Sequence, residues 1–242
     1  GVCGVAGGDS RKNVPGVRLM SCQIFSNDTK GSGDSEAALT WAAQHGAIIA
    51  QNSWGFDPDT NGDGIVSTME AMAWRNTKIS SSLKQSIDYF IKYAGCDSDG
   101  NQLPDSMMKG GVVIFAAGNS GIDYDPIGAY EPVVAVGAID SKGYRASYSN
   151  YGDWVDICAP GSDIYSTIPN ASYGSNTGTS MACPHVSGVA ALIASFYGGP
   201  GFTADALKEK LLGGANAFKK KDNAKIGPLV DAMGAMYYGG SK

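Results

Sequence analysis

The sequence predicts an α/β fold, a three-layer sandwich around a mainly parallel sheet, and two kinds of segment carry that prediction. The short apolar runs at 112–117 and 133–136 are continuous and do not alternate, as expected of parallel strands covered on both faces. Around them lie segments with the apolar spacing of a helix. The clearest is 80–94, where Leu83, Ile87, Phe90 and Ile91 recur at helical intervals. Strands alternating with helices build parallel sheets, because each crossover needs an element long enough to return the chain.

The remaining elements follow in order. Residues 17–25 read as a strand, 35–45 as a helix and 47–53 as a buried strand. A polar stretch at 57–64 interrupts the pattern. Helical spacing returns at 181–196, 204–212 and 228–236. Glycine, 34 of 242 residues, punctuates the alternation. No internal repeat and no long linker divides the chain, so one domain spans 1–242, and its length suffices for one sizeable core.

Composition excludes several classes. With 17% charged and 43% hydrophobic residues the chain is globular and not disordered. A net charge of −5 argues against nucleic acid, whose binders carry basic patches. The continuous apolar runs are too short to span a bilayer, so no membrane span is expected. Residues 1–8 have neither the basic start nor the apolar run of a signal peptide, so a mature or trimmed chain is expected. The five cysteines, Cys3, Cys22, Cys96, Cys158 and Cys183, include no CxxC pair, which argues against zinc or thioredoxin-type sites. The odd count leaves at least one thiol free or paired outside the chain. Several are expected reduced in the core, so they do not fix the compartment.

Two segments carry chemistry. Residues 59–70, Asp-Thr-Asn-Gly-Asp-Gly-Ile-Val-Ser-Thr-Met-Glu, fit the EF-hand calcium loop. That loop needs oxygen donors at positions 1, 3, 5, 9 and 12 and Gly at 6 for the sharp turn. The side-chain ligands expected are Asp59, Asn61, Asp63 and Glu70, with the Ile65 carbonyl and with Ser67 acting through water. The alternative is a surface turn rich in Asp, Asn and Gly. Asp97 to Asn101 is half of such a pattern, but Met108 stands where the Glu is required, and it reads as a turn.

The second segment is Gly178-Thr179-Ser180-Met181-Ala182-Cys183-Pro184-His185, a Gly turn delivering a Ser to the start of an apolar helix. A proline within the first turn costs little, since those backbone N–H groups have no intrahelical partner. Ser180 reads either as a plain N-cap or as a group set where the helix dipole favours developing negative charge.

This segment resembles the nucleophile motif of the subtilisin-like serine proteases. The resemblance implies that Ser180 is the acylating nucleophile, with Thr179 beside it in the substrate site. Gly118-Asn119-Ser120-Gly121, behind the run at 112–117, is similar to the family's oxyanion loop, which implies an oxyanion-donating side chain at Asn119. Ser53-Trp54-Gly55 looks like the edge that pairs with extended substrate, and Ala116-Ala117-Gly118 like the facing wall of the pocket. Segments 130–139, 148–152, 158–161 and 227–232 also resemble family landmarks, so the similarity covers nearly the whole chain. Asp123 and Asp125 follow the oxyanion turn. They read as solvated loop acids or, since some family members line the specificity pocket there, as carboxylates favouring Lys or Arg before the scissile bond.

The family's Asp and His segments do not occur in this sequence, and residues 1–6 look like the stretch that follows the His helix. His185 cannot replace the missing base: five residues beyond Ser180, it lies roughly 140° around the helix. His45 reads as a helix C-terminal His near the negative dipole end. By itself the chain is expected to be a poor protease, with the catalytic Asp and His upstream. In the family the Asp-bearing strand lies between those matched by 17–25 and 47–53, so a gap in the sheet is expected. A retained N-terminal fragment, a segment exchanged from a second copy, or closure of the two strands would fill it. The rival reading is a non-catalytic, calcium-stabilised peptide-binding module on the same fold. The resemblance also implies a secreted or periplasmic location and a peptide or protein substrate.

Overall fold

The computed structural model describes residues 4–25, 33–217 and 225–239. Four parallel strands form the sheet in sequence order: β1 (Ile49–Asn52), β2 (Val112–Ala116), β3 (Val134–Ile139) and β4 (Ile157–Pro160). Alternation sorts the side chains of β2 between two cores. Val112 and Ile114 enter the core shared with α4 (Thr179–Tyr197) and α5 (Ala204–Gly213). Val113 and Phe115 enter the opposite one, with α1 (Ser35–Gln44) and α3 (Ser81–Tyr93). Helices on both faces of the sheet make the three layers.

The helices start where side chains can satisfy their first N–H groups. Asp34 caps α1 at Ala37 N, and Ser80 caps α3 at Leu83 N. Leu83, Ile87 and Phe90 form the buried stripe of α3. A third helix, α2 (Thr68–Trp74), has a reciprocal capping box between Ser67 and Glu70. The last element among the described residues is α6 (Ala232–Tyr237). Among the described residues α4 alone has the length and apolarity of a membrane span, and these serve the core: Ala182, Val186, Val189, Ala190 and Ile193 are buried there.

Three expectations are corrected. Residues 17–25 form no strand, and Leu19 is 90% exposed. A strand exists only through a continued ladder, and among the described residues this segment shows no more than a single bridge, at Phe25. The edge of β1 away from β2 pairs with nothing among the described residues either, so the two strands do not close on each other. The helix expected from 228 starts at Ala232, because 228–230 hydrogen-bonds alongside β4 through Cys158 N–H to Pro228 O and Val230 N–H to Cys158 O. Pro184 is also deeper in its helix than the first turn, with consequences described below. The sequence reading passed over α2, β4 and the hairpin of β5 (Ile164–Ile168) with β6 (Ser172–Asn176). Of the cysteines, Cys22, Cys96, Cys158 and Cys183 are free thiols, the last two buried, and Cys3 lies outside the described residues.

Phe115 links the core to the cleft described below, since Trp54 packs edge-on against its ring at 5.2 Å. Phe115→Ala is expected to destabilise the fold by about 3–5 kcal/mol. Urea unfolding checks this, and a loss below about 1 kcal/mol would contradict the packing described.

Candidate active site

Ser180 is the second residue of α4, behind Gly178. Pro184 has no N–H, so the Ser180 carbonyl loses its intrahelical donor four residues on. The Ser53 hydroxyl takes that place, donating to Ser180 O at 2.8 Å. In return the Ser180 hydroxyl faces Ser53 O at 3.4 Å. Gln51 Nε2 donates to Ser53 Oγ at 2.6 Å and fixes it. Through these bonds the start of α4 is fastened to the end of β1.

The second clamp joins α4 to the loop after β2. Asn119 Oδ1 accepts both the Thr179 N–H at 2.8 Å and the Thr179 hydroxyl at 2.9 Å. Two donors on one atom identify it as the oxygen, so Nδ2 is the end of the amide left over for another acceptor. Thr179, fully buried, also accepts the Gly118 N–H on its hydroxyl at 3.1 Å. Gly118 has φ +100°, and a Cβ there would stand 2.4 Å from Asn150 Nδ2. Only glycine suits both constraints.

Asn150 is a residue that sequence reasoning named only within a landmark. Buried, it donates to Ala117 O at 2.9 Å and accepts the N–H groups of Ser120 and Ile122, each at 3.1 Å. It therefore splints the whole loop that carries Asn119. An Asn between Ser149 and Tyr151 signals nothing by itself, since its partners lie about thirty residues away.

These elements enclose a cleft of about 520 Å³. Trp54, Gly55, Ala116 and Gly118 line it, together with Asn119, Thr179 and Ser180. Trp54 is held by its indole N–H, which donates to Asn52 Oδ1 at 3.0 Å. Ser53 touches Ser180 but does not line the cleft. Ala117 is placed elsewhere: its side chain packs in a third core cluster with Val155, Cys158 and Ile226. Asp57, Asp59, Gly64 and Val66 bring the polar insertion to the rim. Neither histidine reaches Ser180 by a hydrogen bond. His185 Nδ1 engages Met181 O, and His45 engages Trp41 O while stacking on that ring.

The 59–70 loop folds around its own carboxylates. Asp59 accepts the N–H groups of Gly62 and Gly64, and Gly64 has φ +82° as the sharp turn requires. Asn61 accepts from Asp63, and Asp63 from Ile65. Glu70 accepts Thr60 donors on Oε1 and Ser67 donors on Oε2. The Ser67 N–H first, then its hydroxyl and that of Thr60, hold Glu70 down at about 2. By donor chemistry the loop suits a hard cation, being all oxygen and anionic at neutral pH. Among the described residues, however, no three His, Cys, Asp or Glu side chains gather closely enough to hold a metal ion. The insertion is fastened to the loop after Asn119. Arg75 pairs in a two-point contact with Asp123 at 3.0 and 2.8 Å, and the Tyr124 hydroxyl donates to Thr77 O at 3.1 Å.

Asp125 is not a solvated loop acid. It is 6% exposed and lines the cleft. Its Oδ1 accepts the N–H groups of Ile127 at 3.0 Å and Gly128 at 2.8 Å. Burial nevertheless pushes it up to about 6, against those two bonds.

Comparison with known proteins agrees with this architecture. The subtilase family of peptidases matches residues 1–228. The chain is 42% identical over 187 residues to the thermophilic serine proteinase of Bacillus sp. (strain AK1), covering 75% of this chain and 37% of that protein. It is 34% identical over 196 residues to thermitase of Thermoactinomyces vulgaris, covering 79% of this chain and 55% of that protein. Among solved structures, the patellamide maturation protease PatA superposes with a TM-score of 0.64 at 25% identity, covering 90% of this chain and 74% of that one. The chain belongs to the subtilase family. It spans about half the length of the curated relatives it matches.

The buried acid gives a prediction with a definite sign. An acid whose folded pKa is raised, here from 3.8 to about 6, binds its proton more tightly folded than unfolded. Its contribution is most favourable below pH 4 and is lost as pH rises through 6. Asp125→Asn keeps a good cap and removes the charge. The variant is expected to be more stable than the parent at pH 7, by about 3 kcal/mol, with the gain vanishing near pH 4. Denaturant unfolding at the two pH values measures it. Equal stability at pH 7 would mean that the carboxylate carries no burial penalty.

Proposed function

We propose that this chain is the serine-bearing part of a serine endopeptidase. The reading rests on one observation above all: Ser180 and Asn119 are locked to each other through Thr179 beside a cleft bounded by β-edge backbone. Such a site suits acyl transfer. Ser180 Oγ attacks the peptide carbonyl carbon and gives its proton to a base, which passes it to the leaving amine as the C–N bond breaks. Water then hydrolyses the ester and Ser180 regains its proton. Asn119 Nδ2 donates to the oxyanion of each tetrahedral intermediate, where charge develops. The Thr179 bonds hold that donor in place beforehand, so it need not reorganise during the reaction.

The substrate in this proposal is an extended peptide, laid between residues 53–55 and 116–118. The base is a His, oriented by an Asp, carried by an N-terminal part of the same domain that lies outside these residues, as a retained fragment or an exchanged segment. The free edge of β1 and the 17–25 segment support this, because among the described residues neither joins a further strand. Alone, the chain is then a weak catalyst, since an unassisted Ser hydroxyl is a poor nucleophile. Calcium is proposed at 59–70, held by Asp59, Asn61, Asp63, Glu70, the Ile65 carbonyl and Ser67. When bound it supplies positive charge that crosslinks the loop at the cleft rim. The site suits an extracytoplasmic setting, where weak calcium modules are filled. Membership of the family does not decide the compartment, since one relative is named a major intracellular serine protease.

With Asp and His present, a fluorophosphonate probe is expected to label Ser180, and Ser180→Ala to abolish labelling. Retained labelling at another serine would refute the assignment, and no labelling would favour the non-catalytic binding module. Asn119→Ala is expected to lower kcat by about 10²–10³-fold, the magnitude known for such a donor in a member of this family. For calcium, the melting temperature is expected to rise with calcium in excess of its Kd, because only the folded loop binds. Asp59→Ala combined with Glu70→Ala is expected to remove that response. A chelator without effect on the parent would count against the site.

A further inference from the structure

We infer that the outer face of the insertion after β1 is an exosite, a second contact for the substrate polypeptide outside the cleft, and that it takes an amphipathic, basic segment. The inference rests on the peptidase reading above and names the class of substrate selected. Helix α2 is apolar nearly all round, with Met69, Ala71, Met72, Ala73 and Trp74 among its seven residues. Trp74 is its buried side. Met69 and Met72, three residues apart and so on one face, are 82% and 58% exposed. Ile65, just before the helix, is 70% exposed. A surface helix ordinarily turns polar side chains outward, and a contiguous exposed apolar face marks an interaction site.

Position and charge identify the occupant. The apolar surface runs into the cleft: Phe56, half exposed, and Val66, next to Ile65, both line it. A polypeptide held in the cleft therefore has this face as its neighbour. Between β1 and α3 the acids are Asp57, Asp59, Asp63 and Glu70, and the bases are Arg75 and Lys78. Arg75 is taken by Asp123. Lys or Arg beside large apolar side chains complements that mixture, and an acidic segment is repelled. Methionine suits the task, because its flexible thioether adapts to differing apolar partners. The face is also held firm, by the Ser67–Glu70 capping box, the Arg75 pair and the Tyr124 hydroxyl on Thr77 O. An amphipathic helix that lays its apolar side on Met69 and Met72 meets the acids with its basic margin.

The binding arm of the test uses the polypeptide as its gene encodes it, with Ser180→Ala so that no peptide is cleaved. Calorimetry compares a peptide of Leu and Lys at helical spacing with a scrambled peptide of the same composition and with a Leu and Glu peptide. Only the first is expected to bind. Met69→Ser with Met72→Ser is expected to weaken that binding at least about 10-fold, with thermal unfolding confirming the fold. Met69→Ser alone, at the more exposed position, serves should the double variant unfold. The catalytic arm, with Ser180 in place, links the Leu and Lys segment to a cleavable peptide. The Met variant is expected to raise KM for the linked substrate at least about 10-fold, and to leave its kcat and the turnover of the short peptide unaltered. Equal binding of the acidic or scrambled peptide, or basic-peptide binding that the Met variant leaves intact, would overturn the inference. So would no binding by the parent, as when another part of the polypeptide covers the face, or a dimer in sedimentation that the variant dissociates. Should no peptide be cleaved and Ser180 resist the fluorophosphonate, the peptidase reading fails while the binding arm still decides the role of this face.

Discussion

The site depends on the buried hydroxyl of Thr179. It stands between the Gly118 N–H and Asn119 Oδ1, and its own N–H meets the same oxygen. These bonds join two segments about sixty residues apart, the end of β2 and the start of α4. Everything around the cleft serves this junction. Asn150 splints the loop from behind, Gly118 admits Asn150, and Ser53 holds the Ser180 carbonyl that Pro184 releases. A side chain that both donates and accepts is required at 179, and Val, which has the same shape, would leave the Gly118 N–H buried without a partner.

The insertion after β1 belongs to the same construction. Its carboxylates are satisfied internally by the loop's N–H groups, and Arg75 fastens it to Asp123 just beyond the loop that carries Asn119. An exposed ion pair contributes little to stability. Its two-point geometry instead sets position, holding the rim of the cleft against the segment that carries Asp125.

Much of this was legible in the residues. Continuous apolar runs gave β2 and β3 because strands buried on both faces cannot alternate, and the stripe of Leu83, Ile87 and Phe90 gave α3. The Ser180 and Asn119 segments were legible as motifs. What was illegible depends on long-range partners. Residues 17–25 have the apolar content of a strand but no continued ladder among the described residues. Asp125, in a Tyr-Asp-Pro stretch, looks like any loop acid until the fold buries it. Asn150 has no local signature at all, and Ala117 turned out to face the core, since strand alternation continues past the end of β2. Pro184 was misjudged by a turn because the helix start is set by Gly178 and not by the proline.

The central claim is that Thr179 acts through Asn119, and a double-mutant cycle tests it most directly. Thr179→Val, Asn119→Ala and the double variant would be compared by the rate at which Ser180 reacts with a fluorophosphonate, in the polypeptide that carries the Asp and His. If Thr179 serves to aim the Asn119 amide, the double variant reacts about as fast as the slower single one. Losses that multiply, each variant slowing the reaction independently of the other, would contradict the account.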